Sequence, residues 1–320
     1  MAERGFDLEG LGRAVARHGR VTRVVIAAHD GSSPREVGAA MLVWADGTEG
    51  TIGGGALEWE AIALARAGRA PRLARTPLGP RLGQCCGGAV TLLSEVFTQV
   101  DLDGPVIARG PGAMPLAVRR ILAQARRGVR PEPHLIGEWM VEPVAHADRP
   151  LWIWGAGHVG RALVGVIAPL PGVAITWVDT AADRFPATMP EGVTPIWAED
   201  PARLVAHAPA GAEHLVLTFS HALDLEICHR LLAHGFGAAG LIGSATKWAR
   251  FRRRLMALGQ DPDRIACPIG DPALGKHPQQ IAVGVAAAWL RGGLGAQDQR
   301  RGEVVRHMAS APRKPTTAKA

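Results

Sequence analysis

Two adjacent cysteines, Cys85 and Cys86, stand in the run LGQCCGGAV with Gly83, Gly87 and Gly88 around them. Neighbouring cysteines are badly placed to bridge each other, because the short ring strains disulfide geometry. They are also poorly spaced for tetrahedral zinc, whose ligands prefer a gap of about two residues or more. What remains is a pair of soft sulfurs on a loop whose glycines let a backbone approach a ligand. That setting suits soft metals or sulfur transfer. The same residues can equally serve as small buried hydrophobes in a turn.

A second constellation is Gly155-Ala156-Gly157-His158-Val159-Gly160, which fits GxGxxG. It follows the apolar run LWIW and opens a helical pattern, and Asp179 closes the next strand pattern 19 residues after Gly160. In a Rossmann unit such glycines permit the tight turn and the approach of a phosphate. The helix N-terminus favours the anion, and the acid accepts from a ribose hydroxyl. His158, inside the turn, either meets a ligand or packs on loop backbone. Ser220 and His221 end a later strand, on the carboxyl edge where open α/β sheets bind ligands. With Asp224 they resemble a hydrolase set, but they are too clustered in sequence for triad geometry. Gly243 and Ser244 end another strand on that edge, and Cys267 with the loop Gly270–Lys276–His277 is expected to close over it. Cys228 falls in a helix pattern and reads as core.

In the first hundred residues, Ser32, Ser33, Pro34 and Arg35 form a turn with one cation, either a phosphate contact or a plain surface turn. Gly53, Gly54 and Gly55 end a strand and lead into a helix. Glu58, just beyond them, either caps that helix electrostatically or accepts from a ligand.

The elements that must position these residues divide in two. Residues 7–18 carry Leu8, Leu11, Ala14 and Val15 at helical spacing. VTRVVIAAH (21–29) reads as a strand, and Asp46-Gly47 marks a hairpin between AAMLVW and a strand starting near Thr51. The cysteine loop leads into the apolar strand AVTLLSEVF. From Leu151 onward strands and helices alternate, which implies a parallel sheet covered on both faces. There DPARLVAHA is expected to be a helix capped by Asp200. The fold class is thus α/β: a small α+β N-terminal domain followed by a Rossmann-like, doubly wound parallel-sheet domain. The expected boundaries are 1–100, a linker over 101–149 with a helix near 115–127 and a strand near 135–142, 150–296, and a disordered basic tail over 297–320.

Composition narrows the function classes. The chain has 320 residues, 47% of them hydrophobic and 20% charged, enough for sizeable cores. Of its net charge of +7, the tail from Gln297 holds six basic residues against Asp298 and Glu303. The body shows no basic stripe interleaved with aromatics, so nucleic-acid binding is not expected. The opening MAERGFDLEG is no signal peptide, and no run of 18 apolar residues suggests a membrane span. Four cysteines are too few for a disulfide scaffold. A cytoplasmic protein is expected, with no membrane partner.

Six segments in fixed order then carry a resemblance: GSSPREVGAAMLVWADGTEGTIGGGALEWEAI, LGPRLGQCCGGAVTLLSEVF, WIWGAGHVGRAL, TFSHALDLEICHRLL, GLIGSATKWARFRRRL and CPIGDPALGKHPQQIAVGVAAAWL. Together they resemble the XdhC/CoxI family of xanthine dehydrogenase accessory proteins over roughly residues 10–98 and 150–292. The resemblance implies a molybdenum cofactor chaperone rather than an enzyme with turnover chemistry of its own. Such a protein binds and protects molybdopterin, supports its sulfuration with a cysteine desulfurase, and inserts it into apo xanthine dehydrogenase; a homodimer is plausible. The final AAAWL lacks the acid often expected there, which puts any role of that position in doubt. The expected cofactor contacts are Gly53, Gly54, Gly55, Cys85 and Cys86 from the first block. From the second they are Gly155, Gly157, His158, Gly160, Asp179, Ser220 and His221, with Cys85 and Cys86 at the metal. Two alternatives remain: an NAD(P)-dependent oxidoreductase using Asp179 on the ribose, and a nucleotide-sensing regulatory protein.

Overall fold

The computed structural model describes residues 5–79, 87–145 and 149–292. Internal packing divides the chain into two units, Glu3–His146 and, from Ala147 onward, the remainder. Each is taken by itself.

In the first unit α1 (Leu8–His18) buries Leu11, Ala14 and Val15, the expected helical face. Its start is fixed by Asp7, whose side chain accepts from the Gly10 N–H at 2.7 Å. Then follow β1 (Val21–Asp30), β2 (Ala40–Val43), β3 (Thr48–Gly50), α2 (Gly55–Arg66), β4 (Leu73–Pro77) and β5 (Ala89–Phe97). The strands form an antiparallel sheet in the order β3-β2-β1-β5-β4. Asp46-Gly47 lies in the β2–β3 turn, closed by the Trp44 N–H on the Gly47 carbonyl at 3.1 Å. Period-two alternation along β1 sends Val24 and Ile26 to the α2 side and Val25 and Ala27 to the opposite one.

Residues 101–145 are more structured than a connection. They form β6 (Val106–Arg109), α3 (Leu116–Ala125), β7 (His134–Ile136) and β8 (Trp139–Pro143), with sheet order β6-β8-β7. The one strand expected near 135–142 is a hairpin broken at Gly137, whose φ of 61° suits glycine. A buried ionic network joins this sheet to the first. Arg23 of β1 donates to Glu142 of β8 at 2.7 and 3.0 Å, and Arg109 of β6 reaches both Glu142 and, at 2.7 Å, Glu95 of β5. The Phe6 ring lies 4.1 Å from the Arg23 guanidinium and 4.5 Å from that of Arg109. Burial disfavours the Glu142 charge, but the two guanidiniums outweigh it and hold its carboxyl below the usual range.

The second unit runs β9 (Arg149–Trp154), α4 (His158–Ile167), β10 (Val173–Asp179), β11 (Val193–Trp197), β12 (Glu213–Val216), α5 (His221–His234), β13 (Ala238–Leu241), α6 (Ala245–Ala257), β14 (Ile265–Ala266) and α7 (Pro278–Leu290). All pairings are parallel, in the order β11-β10-β9-β12-β13-β14. This is the doubly wound Rossmann order, and the order reverses between β9 and β12, where such sheets open a crevice. Along β9, Leu151 and Ile153 face the α4–α7 layer, while Trp152 and Trp154 face the α5–α6 layer. Both edge strands are short or interrupted: β14 has two residues and β11 carries Pro195. DPARLVAHA is a 3-10 helix over Pro201–His207, without a side-chain cap from Asp200. The segment is short and ends just ahead of Pro209, and short helical pieces between strands commonly take the tighter 3-10 form. Among the described residues no helix is long and apolar enough to cross a membrane.

Candidate functional site

The turn after β9 is built by its glycines, each for a different reason. Gly155 has φ 122°, and a Cβ there would stand 2.5 Å from the Leu217 carbonyl oxygen. A Cβ on Gly160 would lie 2.0 Å from the Gly155 oxygen, so helix and turn meet at a distance only glycine allows. The Trp177 indole N–H holds the same carbonyl at 3.0 Å. Gly157, the N-cap of α4, faces open space: nothing lies within 4 Å of a Cβ placed there. No side chain caps this helix. His158 follows, exposed at the helix start. The turn therefore presents an uncapped helix N-terminus, which attracts anions.

Asp179 ends β10 as expected, but its oxygens are already engaged. It is 4% exposed. One oxygen accepts the Ala156 N–H of the glycine turn. The other accepts from the Thr180 N–H at 2.6 Å and the Thr180 hydroxyl at 3.0 Å, and lies 2.6 Å from Arg184 Nε. Burial works against the charge, but these donors outweigh it and the carboxyl titrates below its ordinary value.

Further along the same edge, Ser220 caps α5 by accepting from the Leu223 N–H at 3.3 Å, and His221 is exposed at its first position. Asp224 does not complete a triad with them. It is fully buried, accepts the Thr218 N–H at 2.9 Å and hydroxyl at 2.7 Å, and pairs with Lys247 Nζ at 2.6 Å. Lys247 also donates to the Ile242 carbonyl at 3.1 Å. Gly243 makes room for this lysine, since a Cβ there would lie 2.8 Å from its Cδ, and Ser244 caps α6. Cys228 and Cys267 are buried in the layer below; burial raises both thiols, Cys267 to about 12. His277 caps α7 in a capping box with Gln280.

The glycine loop of the first unit has a different character. Gly53, Gly54 and Gly55 all have positive φ, and Pro34 packs on Gly53, 2.5 Å from where a Cβ would stand. Glu58 fills the turn from within. Its carboxylate accepts from the Thr51 hydroxyl at 2.5 Å and from the N–H groups of Ile52 and Gly54 at 3.0 and 3.1 Å. Partial burial opposes the charge, but these hydrogen bonds keep Glu58 below the usual carboxylate range. Glu58 thus braces the turn ahead of α2, whose own first N–H groups no side chain caps. Arg35 pairs with Glu36 at 3.2 Å, and Gly88 passes so near the Asp30 and Ser32 carbonyls that a Cβ would clash at 2.5 and 2.2 Å. The turn of residues 31–35, the glycine loop and the end of the cysteine segment are thus neighbours. Cys85 and Cys86 themselves lie outside the described residues.

Two family models match the chain. One, the XdhC Rossmann domain, covers residues 151–288, and the other, the XdhC and CoxI family, covers 14–75. The chain belongs to the XdhC/CoxI family. No curated protein sequence matches it. A crystal structure of a xanthine dehydrogenase from Bacillus halodurans is similar over 89% of this chain and 95% of that one, at 20% identity and a TM-score of 0.66. That likeness speaks for the fold. A short-chain dehydrogenase/reductase from Veillonella parvula aligns over 46% of this chain and 63% of its own, at 15% identity and a TM-score of 0.25.

Three groups of this XdhC/CoxI protein escape a reading by motif. Arg184 and Lys247 act on acids distant in sequence, and no spacing rule marks them. His214 is buried in β12, where its Nδ1 accepts the Trp154 indole N–H at 3.2 Å and its Nε2 has no partner. Burial, with His234 nearby, pushes its pKa down to about 3. Its one signal was a histidine inside an apolar strand run. Among the described residues no cluster of three or more His, Cys, Asp or Glu side chains could hold a metal.

Proposed function

We propose that this chain is a molybdenum-cofactor carrier acting in xanthine dehydrogenase maturation. Membership of the XdhC/CoxI family supports the maturation role. The observation that carries the binding role is the α4 N-terminus, uncapped, with Gly157 in open space. A ligand phosphate placed there would take up free N–H groups and meet the positive end of the helix. His158, Ser220 and His221 border the same edge of the sheet. Cys85 and Cys86 supply the soft sulfurs for the metal–dithiolene end.

In this reading the carrier protects the cofactor, supports its sulfuration by a cysteine desulfurase and surrenders it to apo xanthine dehydrogenase in the cytoplasm. Surrender requires only that the client bind the cofactor more tightly than the carrier. The test is binding of purified molybdopterin to wild type and to Cys85→Ala/Cys86→Ala, followed by reconstitution of apo xanthine dehydrogenase. Tight binding with activation, both lost in the double variant, is the expected result. Wild type that binds no molybdopterin would end the carrier reading.

A further inference from the structure

In a dinucleotide-binding Rossmann unit the acid at the end of the second strand takes the ribose diol. Here that acid is Asp179, 4% exposed, with one oxygen accepting from Ala156 and the other crowded by the Thr180 donors and the Arg184 guanidinium. We infer that Arg184 closes the ribose-diol site by clamping Asp179, and that its own guanidinium makes the second unit select a ligand with a further phosphate beside the glycine turn. This specificity rests on the reading that the Gly155–Gly160 turn holds a phosphorylated ligand.

Three features make the clamp a standing part of the fold. The Arg184 carbonyl accepts from Arg161 Nη2 at 2.5 Å, while Arg161 Nε donates to the Ala156 carbonyl at 3.2 Å, so one arginine ties the clamp to the turn. Phe185, the next residue, packs edge-on against the buried Trp177 with ring centroids 5.2 Å apart. Trp177 in turn holds the Gly155 carbonyl. Arg184 is therefore held from both sides in the backbone before any ligand arrives.

What the clamp leaves over is cationic. Nε makes the nearest approach to the carboxylate, at 2.6 Å, and neither Nη group donates a hydrogen bond within the described residues, so the outer N–H donors are left over. The side chain is 32% exposed and lies over Phe219, 4.8 Å from the ring centroid. Phe219 is itself 66% exposed at the carboxyl edge of the sheet. A planar guanidinium with a free fork suits a phosphate, and a diol offers it no charge to pair with.

The probes are adenosine 2′,5′-bisphosphate and 5′-AMP. Both bring a 5′-phosphate to the turn, and only the second presents a free diol. Titrated calorimetrically into the full chain, the bisphosphate should bind wild type at least about tenfold more tightly than 5′-AMP. Arg184→Gln should abolish that preference and improve 5′-AMP binding, because Asp179 is released. Equal binding of both probes to wild type overturns the inference without any variant. So does a preference that survives in Arg184→Gln, or no binding of either probe to wild type or to that variant. Molybdopterin binding, measured separately, distinguishes the two failures. Loss of the probe preference with molybdopterin retained removes this inference alone. The preference with no molybdopterin bound removes the carrier.

Discussion

The two glycine loops look alike in sequence and differ in what completes them. Gly53–Gly55 and Gly155–Gly160 each follow a strand and open a helix. In the first unit the donors of the loop are answered from inside, by Glu58 one turn into α2. In the second Asp179 answers the Ala156 N–H from a neighbouring strand, while in both loops the N-cap glycine, Gly54 or Gly157, faces open space and no side chain caps the helix. A glycine-rich turn before a helix is thus a statement about backbone shape. What separates the two is the frame behind the turn: the second ends β9 where the order of a parallel sheet reverses, the place at which such sheets bind ligands, and the first belongs to an antiparallel sheet.

That contrast can be broken most sharply at Gly160. Gly160→Ala forces a Cβ against a backbone oxygen that cannot yield, and should cost about 3 kcal/mol or more of stability in denaturant titration. A near-neutral result would mean that the turn is looser than described.

Acid should separate the units next. His214 has a folded pKa of about 3 against an ordinary 6.5, so the unfolded chain binds its proton first. The stability it contributes is complete above that ordinary value and is lost as pH falls toward the folded one. By pH 4 the loss should approach roughly 3 kcal/mol. Glu58 and Glu142, both lowered, begin to destabilise only below the ordinary carboxylate value of 4.5. Hydrogen exchange read peptide by peptide should therefore show the second unit loosening at higher pH than the first, and His214→Phe should remove that lead. Simultaneous loosening, unchanged by the variant, would contradict it.

A smaller effect is expected at Glu58. Glu58→Gln weakens the hydrogen bonds that brace the Thr51–Gly54 turn and should cost about 1 kcal/mol, without changing the affinity of either adenosine probe. Smallest of all in stability is Gly157→Ala, within about 1 kcal/mol of wild type by thermal denaturation, because nothing stands where its Cβ would go. The same substitution should weaken phosphate-ligand binding, and a variant that binds ligand normally would remove Gly157 from the site.

Much of this arrangement was legible in the sequence because it depends on local pattern. Apolar runs alternating with helices gave the parallel sheet, and the glycine spacing gave the β9–α4 turn. The short strands β4, β6 and β14 were not legible, since two to five residues carry too little periodicity and are defined by their partners. The site divides in the same way. Gly155 and Gly160 act through backbone a few residues away. Asp179 was rightly placed at a strand end, yet its use is decided by Arg184 through a turn that no pattern marks. Asp224 was grouped with its sequence neighbours Ser220 and His221, while its charge partner, Lys247, comes from the next helix.

The edges of the second sheet carry a last consequence. At one side β14 offers two residues of backbone, and at the other Pro195 removes a donor from β11. An open strand edge is a template on which another chain can add and nucleate aggregation. Here neither edge can extend a ladder far. Folded or crowded at high concentration, this unit should resist strand-by-strand assembly, and Pro195→Val is the change that would expose it.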